Sequence, residues 1–336
     1  MTLLFNPQGN DTTRQVIGGS STNLINLNNV KYKWANQIYK KMREDIWIPE
    51  KMSLVDDVPQ YETLTTEEKD AFKGMLSYLT YLDSIQTNMV PYIISAITAP
   101  EIKICLAEQV SQEALHNQSY QHIIESVIPS GERNEIYDNW RTIEPLKKRI
   151  QSITSVYQNY IDEPTELNLL KALFADYILE GIYFMNGFIF FYSLAKRGKM
   201  LGCASIFKLI NRDEFNHVRL YMKILDNILT ETSMLEDANL INEFNTILRD
   251  AVESEIEWSN YILGNKILGI NNHSTEQYTK YLANSRMIDI NLPTIYEVTK
   301  NPYEHLEKGN QEEKQNFFES GVTTYLQASS IGDWDW

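Results

Sequence analysis

Apolar and polar positions along the chain sort into helical stretches. A first helix is expected from about 30 to 44, ended by the WIPE stretch, because Pro49 disfavours helical geometry at Ile48. LTTEEKDAFKGMLSYLTYLDSIQ opens with a capping Thr and first-turn acids, then carries apolar residues at helical spacing to about Gln86. After Pro91 and Pro100 comes EIKICLAEQVSQEALHNQSYQHIIESVI, a long helix that ends before Pro129. Further helices are expected over about 134–160, 165–195, 202–229 and 236–264. Most of these stretches exceed the usual mean of about 11–12 residues, which predicts a bundle. No segment repeats at a fixed period.

Two ends fall outside this pattern. Residues 6–29 are rich in Asn, Gly, Ser and Thr, so 1–29 reads as a flexible arm or extended lead-in. Residues 309–336 are polar, glycine-punctuated and scattered with aromatics, and read as a tail. The helical domain is expected over 30–308.

Composition supports an all-α chain: 336 residues with only 14 Gly and 10 Pro leave long uninterrupted stretches. A net charge of −15 argues against nucleic acid binding, which depends on clustered Lys and Arg, and the short basic runs at 40–43 and 147–149 are flanked by acids and read as solvated faces. Cys105 and Cys203 form no CxxC pair and suggest neither a disulfide framework nor a zinc knuckle, which fits a reducing cytoplasm. MTLLFNPQGN lacks the basic and apolar regions of a signal peptide. YILEGIYFMNGFIFFYSLA, residues 177–195, is long and apolar enough to suggest a short membrane span, yet it carries Glu180 and Asn186 and has no matching neighbour. A helix apolar all round is equally what the centre of a soluble bundle needs, and that is the reading adopted.

The chemistry sits in two ExxH pairs. Glu113 and His116 emerge one turn apart on one helix face, and Glu214 and His217 repeat the spacing on another helix. A single pair is unremarkable; two of the chain's five histidines placed this way in apolar segments point to one shared site. Two divalent cations in a low-dielectric core need further anionic oxygens. Asp83 and Glu180, each an isolated acid in an apolar run, supply them. One acid from each of two helices plus ExxH from each of two others is the ligand pattern of ferritin-like dimetal carboxylate proteins, with Asp83 where Glu is more usual. Tyr120 stands four residues after His116, on the same face, and Phe184, Phe188 and Ile210 share helix faces with Glu180 and Glu214. Together they would form a dry cage around a phenol.

In order and separation, LDSIQ, ExxHxxxY, the isolated Glu180 and RDExxH resemble the small (beta) subunit of class I ribonucleotide reductase, over roughly 30–290 and the tail. The resemblance implies that Asp83, Glu113 and His116 hold one metal and Glu180, Glu214 and His217 the other, with Glu113 and Glu214 bridging. It implies that Tyr120 is oxidised to a stable radical within a pocket of Phe184, Phe188 and Ile210. Oxygen would be the oxidant, or a reduced oxygen species delivered by a flavodoxin-like activating protein. Trp47 and Asp213 match the radical-transfer route, with Asp213 joining Trp47 to His116, and Tyr325 matches the tail tyrosine that passes the radical on. The implied partners are a second copy of the chain and the large (alpha) subunit, which binds the ribonucleotide. Trp334 and Trp336 would anchor the tail on that subunit. LDSIQ looks more like iron-using members, so two iron ions are expected, with two manganese ions as the alternative. A ferritin-like iron-storage or peroxide-handling protein, an oxygen-activating oxidase or hydroxylase, and a purely structural bundle are the competing readings; the last leaves Asp83 and Glu180 unexplained.

Overall fold

The computed structural model describes residues 4–307, apart from 27, 233, 235 and 236. Eleven α-helices follow one another among the described residues, with no strand, only an isolated antiparallel bridge between Ile17 and Ile97. They are α1 (Lys33–Glu44), α2 (Asp57–Glu62), α3 (Thr66–Ala96), α4 (Pro100–Val127), α5 (Arg133–Thr142) and α6 (Glu144–Asp162). Then come α7 (Glu166–Ile178), a π-helical turn (Leu179–Tyr183), α8 (Met185–Lys196), α9 (Leu201–Glu231), α10 (Ala238–Ile262) and α11 (Asn272–Asp289). α3 lies along α4, α7 and α8 pack on α9, and α9 also touches α4, so four of these elements enclose one central volume.

Local chemistry starts and sustains the long helices. Thr65 and Glu68 form a reciprocal capping box at the start of α3, with bonds of 3.2 and 3.1 Å. Asp57 caps α9, its carboxylate accepting from the amides of Gly202 at 3.1 Å and Cys203 at 2.6 Å. Pro91 does not end α3 near Gln86 as its sequence suggests. Its ring lies on the exposed face while Val90 and Ile93 beside it are fully buried, so packing carries the helix across the one lost hydrogen bond to Ala96.

Other boundaries also depart from expectation. The helix expected over 134–160 is two, broken where Ile143 is extended ahead of Pro145. The apolar stretch 165–195 is interrupted by the π turn. α11 has no clear apolar stripe, since Thr275, Thr279 and Asn284 are buried among its apolar residues; Asn271 caps it by accepting from Ser274 N at 2.9 Å. The N-terminal segment is no loose arm throughout: Val16 is fully buried, and Arg14 Nη1 sits 3.1 Å from both oxygens of the buried Glu101. Tyr325, Trp334 and Trp336 lie outside the described residues. Cys105 and Cys203 are buried free thiols.

The stretch Glu166–Lys196 is long and apolar enough to cross a membrane, but 94% of its most apolar window is buried inside the protein. It forms the centre of the bundle. At the end of its π turn, the Tyr183 carbonyl accepts from Arg149 Nη2 at 2.5 Å and from the Tyr78 hydroxyl at 3.3 Å. Arg149 is fully buried and paired with the equally buried Glu255, which also accepts from Asn186 at 2.8 Å and Ser259 at 3.0 Å. Removing the cation leaves a buried carboxylate without its charge partner and takes the shorter of two hydrogen bonds from the π-turn carbonyl. Arg149→Met is therefore expected to lower unfolding stability by roughly 3–5 kcal/mol, measured by urea denaturation of the full chain. A loss below about 1 kcal/mol would show that this pair is not a structural tie.

Candidate metal centre

Four elements deliver six titratable side chains to one point. Asp83 comes from α3, Glu113 and His116 from α4, Glu180 from the π turn, and Glu214 and His217 from α9. All six are fully buried. They form two overlapping clusters whose candidate ligand atoms lie within 4.8 Å of one another: Asp83, Glu113, His116 and Glu214 in one, Glu113, Glu180, Glu214 and His217 in the other. Glu113 and Glu214 belong to both. A π turn at Glu180 is typical of functional sites, because the extra residue per turn re-aims one side chain without breaking the helix.

Both imidazoles face inward through Nδ1. His116 Nδ1 is 3.1 Å from Glu214 and 3.8 Å from both Asp83 and Glu113. His217 Nδ1 is 2.8 Å from Glu214, 3.2 Å from Glu113 and 3.5 Å from Glu180. Their outward nitrogens meet different partners. His116 Nε2 lies 3.5 Å from Asp213, whose same oxygen accepts from Trp47 Nε1 at 2.8 Å, and Arg212 holds the other oxygen at 3.0 Å. His217 Nε2 meets Gln112 Oε1 at 3.0 Å. One imidazole is thus backed by a carboxylate and the other by a neutral amide.

The electrostatics are those of a site built for cations. Burial pushes the Asp83 and Glu180 carboxyls well above the usual carboxylate range, and the neighbouring Glu113 reinforces both shifts. Burial also works against ionised Glu214, but the charges of His116 and His217 outweigh it and hold that carboxyl low. Burial opposes protonation of both imidazoles, and the surrounding carboxylates overcome it, Glu214 leading for His116 and Glu113 for His217.

The donor set fits a dinuclear cation site. Both oxygens of Asp83, Glu113 Oε2, Glu180 Oε2, Glu214 Oε1 and His116 Nδ1 make no hydrogen bond, an unusual concentration of unsatisfied buried atoms, all directed into the same volume. Carboxylate and imidazole donors suit iron and manganese alike.

Tyr120 is fully buried, and its hydroxyl has no partner of full hydrogen-bond geometry. Burial, then the charges of Asp83 and Glu214, push the phenol well above its ordinary range. Its ring stacks on Phe207 at 6.0 Å, and Phe207 packs on Phe188 at 6.3 Å and Phe191 at 3.6 Å. Phe184, Phe188 and Ile210 are buried, Phe184 reaching Phe188 at 6.3 Å. Sequence reasoning missed Phe207, although it lies seven residues before Glu214 on the same helix face. It also missed the glutamines: Gln86 and Gln109 each donate to Glu180 Oε1 at 2.8 Å. Their signal was their place one helical turn from Asp83 and Glu113.

Comparison with known proteins agrees with this geometry. Residues 24–302 match the family described as "Ribonucleotide reductase, small chain". The beta subunit of ribonucleoside-diphosphate reductase from Treponema pallidum is 37% identical over 98% of this chain and 96% of its own. That from Halalkalibacterium halodurans is 32% identical over 99% and 97%. The solved ribonucleotide reductase R2 subunit from Clostridium botulinum is 41% identical, with a TM-score of 0.89 over 92% of this chain and 98% of that one. A dimanganese(II)-NrdF from Streptococcus sanguinis shares the fold at a TM-score of 0.77 and 20% identity, over 85% and 98%.

Because the carboxylates hold protons on both imidazoles in the metal-free protein, loading must expel them. The folded imidazole pKa values are raised, so the protons are present at neutral pH and leave on metal binding, and affinity rises with pH. Calorimetric titration of the metal-free chain in two buffers of different ionisation heat should give buffer-dependent enthalpies. Equal enthalpies would contradict proton release.

Proposed function

Because the chain belongs to the ribonucleotide reductase small-chain family and serves ribonucleoside-diphosphate reduction, we propose that Tyr120 is its radical-bearing residue and that Trp47, Asp213 and His116 form its outlet. Membership in this family leaves the iron-storage and free-standing oxidase alternatives without support. The observation that carries the reading is the dry placement of Tyr120: a phenol one turn beyond His116, fully buried against Phe207, its hydroxyl directed toward no partner but the Asp83 side of the site.

Asp83, Glu113 and His116 would hold one metal, and Glu180, Glu214 and His217 the other, with Glu113 and Glu214 shared. The bound pair supplies a one-electron oxidant strong enough to oxidise a phenol. Two iron ions are proposed, with two manganese ions as the alternative, in which case a flavodoxin-like protein supplies the reduced oxygen species. Both fit the donor set.

The protein's own groups do the rest. Phe188, Phe207, Ile210 and Phe184 keep water and reductants from the oxidised phenol. Asp213 accepts from Trp47 and faces His116 at 3.5 Å, so one carboxylate ties the buried site to an indole that is only partly buried, next to the exposed Ile46 and Ile48. From there Tyr325 in the tail would pass the radical to the large subunit, where Trp334 and Trp336 dock. The chain would act as a homodimer in the cytoplasm.

Tyr120→Phe should abolish the stable tyrosyl signal in electron paramagnetic resonance and nucleotide reduction together. Trp47→Phe should keep the stable signal while nucleotide reduction is lost; loss of both would make Trp47 part of assembly instead. Removing residues 326–336 should abolish reduction with the large subunit and leave the radical intact, and a radical lost along with it would refute a docking role for the tail.

A further inference from the structure

The arrangement that places Tyr120 beside one ExxH pair occurs twice. EALHNQSY on α4 puts Tyr120 four residues after His116 and seven after Glu113; EFNHVRLY on α9 puts Tyr221 four residues after His217 and seven after Glu214. Helical geometry therefore gives each ExxH pair a phenol one turn further along its own face. The parallel extends to their surroundings. Tyr221, like Tyr120, is fully buried, and its hydroxyl likewise has no partner of full hydrogen-bond geometry. Each phenol also faces an aspartate from the neighbouring helix: Asp83 of α3 for Tyr120, Asp176 of α7 for Tyr221.

The two aspartates differ in one respect that matters. Asp83 belongs to a ligand cluster, whereas Asp176 belongs to neither. Asp176 is fully buried; its Oδ1 accepts from Gln86 Nε2, and its Oδ2 has no hydrogen-bond partner. The same Gln86 amide donates to Glu180 at 2.8 Å, and its carbonyl accepts from the Tyr157 hydroxyl at 3.1 Å. A phenol and an unengaged carboxylate oxygen thus lie together one amide away from the Glu180 side of the site. Burial pushes the Asp176 carboxyl up to about 7, against the lowering by Gln86 and Tyr221, which makes it a stronger base than an exposed aspartate.

We propose that Tyr221 is a second oxidisable phenol of this centre, with Asp176 as its proton acceptor, and that it takes the oxidising equivalent when Tyr120 cannot. This rests on the radical-generating reading of the site. The Tyr221 O–H bond breaks; its electron would go to the one-electron oxidant that metals held by the six ligands would supply, which would be reduced by one electron. Its proton passes to Asp176 Oδ2, where a new O–H bond forms, and a neutral tyrosyl radical remains. The oxidant is the one that acts on Tyr120, and no other co-reactant is needed.

The test is freeze-quenched electron paramagnetic resonance on the full chain after metal loading and oxidation. Metal content and circular dichroism in each variant establish that it is loaded and folded, and Tyr221→Phe removes only one oxygen. In Tyr120→Phe, a short-lived tyrosyl signal with hyperfine splitting unlike the stable one is expected. It should vanish in Tyr120→Phe/Tyr221→Phe, persist in Tyr120→Phe/Tyr157→Phe, and form more slowly in Tyr120→Phe/Asp176→Asn. A signal that survives Tyr221→Phe, or one that follows Tyr157, overturns the proposal. So does the absence of any tyrosyl signal in Tyr120→Phe when the unsubstituted chain forms its stable one, and that result leaves the Tyr120 reading standing. A stable signal unaffected by Tyr120→Phe but lost in Tyr221→Phe would instead overturn the Tyr120 reading and support oxidation of Tyr221.

Discussion

The structure depends on keeping four carboxylates and two imidazoles together in a volume with no access to solvent. Without compensation such a cluster is among the most costly things a core can contain, since each buried charge lacks water and the carboxylates repel. The imidazoles offset part of this by holding Glu214 ionised, while Asp83 and Glu180 are driven toward protonation. The remaining imbalance is what two cations would neutralise. The fold and the chemistry therefore share one electrostatic problem.

Long helices are the means by which the cluster is assembled. Backbone hydrogen bonds are satisfied within each helix, so α3, α4, α7 and α9 can run through the core and present acids inward without adding unpaired amides. The π turn at Leu179–Tyr183 follows α7 and carries Glu180. Its carbonyl at Tyr183 is taken up by Arg149 and Tyr78, and Arg149 is in turn held by Glu255. A buried ion pair thus supports the turn that carries Glu180.

The site is asymmetric despite its matching motifs. Asp213 backs His116 and leads outward to Trp47, whereas Gln112 backs His217 and the amides of Gln86 and Gln109 crowd Glu180. A carboxylate raises the basicity of the imidazole it supports more than an amide does. The half of the site near Tyr120 and Trp47 is therefore electronically distinct from the half near Asp176 and Tyr221. Tyr120 and the Asp213–Trp47 pair fall on one side, and a buried amide and phenol network on the other.

The sequence by itself determined most of the long helices and the candidate ligands. Helical spacing put Glu113, His116 and Tyr120 on one face, and Glu214 and His217 on another, while the cost of isolated acids in apolar runs singled out Asp83 and Glu180. Those inferences need only the period of a helix and the price of a buried charge. Tertiary packing decided what periodicity cannot reach: the persistence of α3 through Pro91, the π turn, the burial of Arg14 and Val16, and the polar buried face of α11. It also decided which neutral groups complete the site. Gln86, Gln109 and Phe207 carry no charge that would mark them in a sequence, and they acquire their roles only because separate helices bring them against Glu180 and Tyr120.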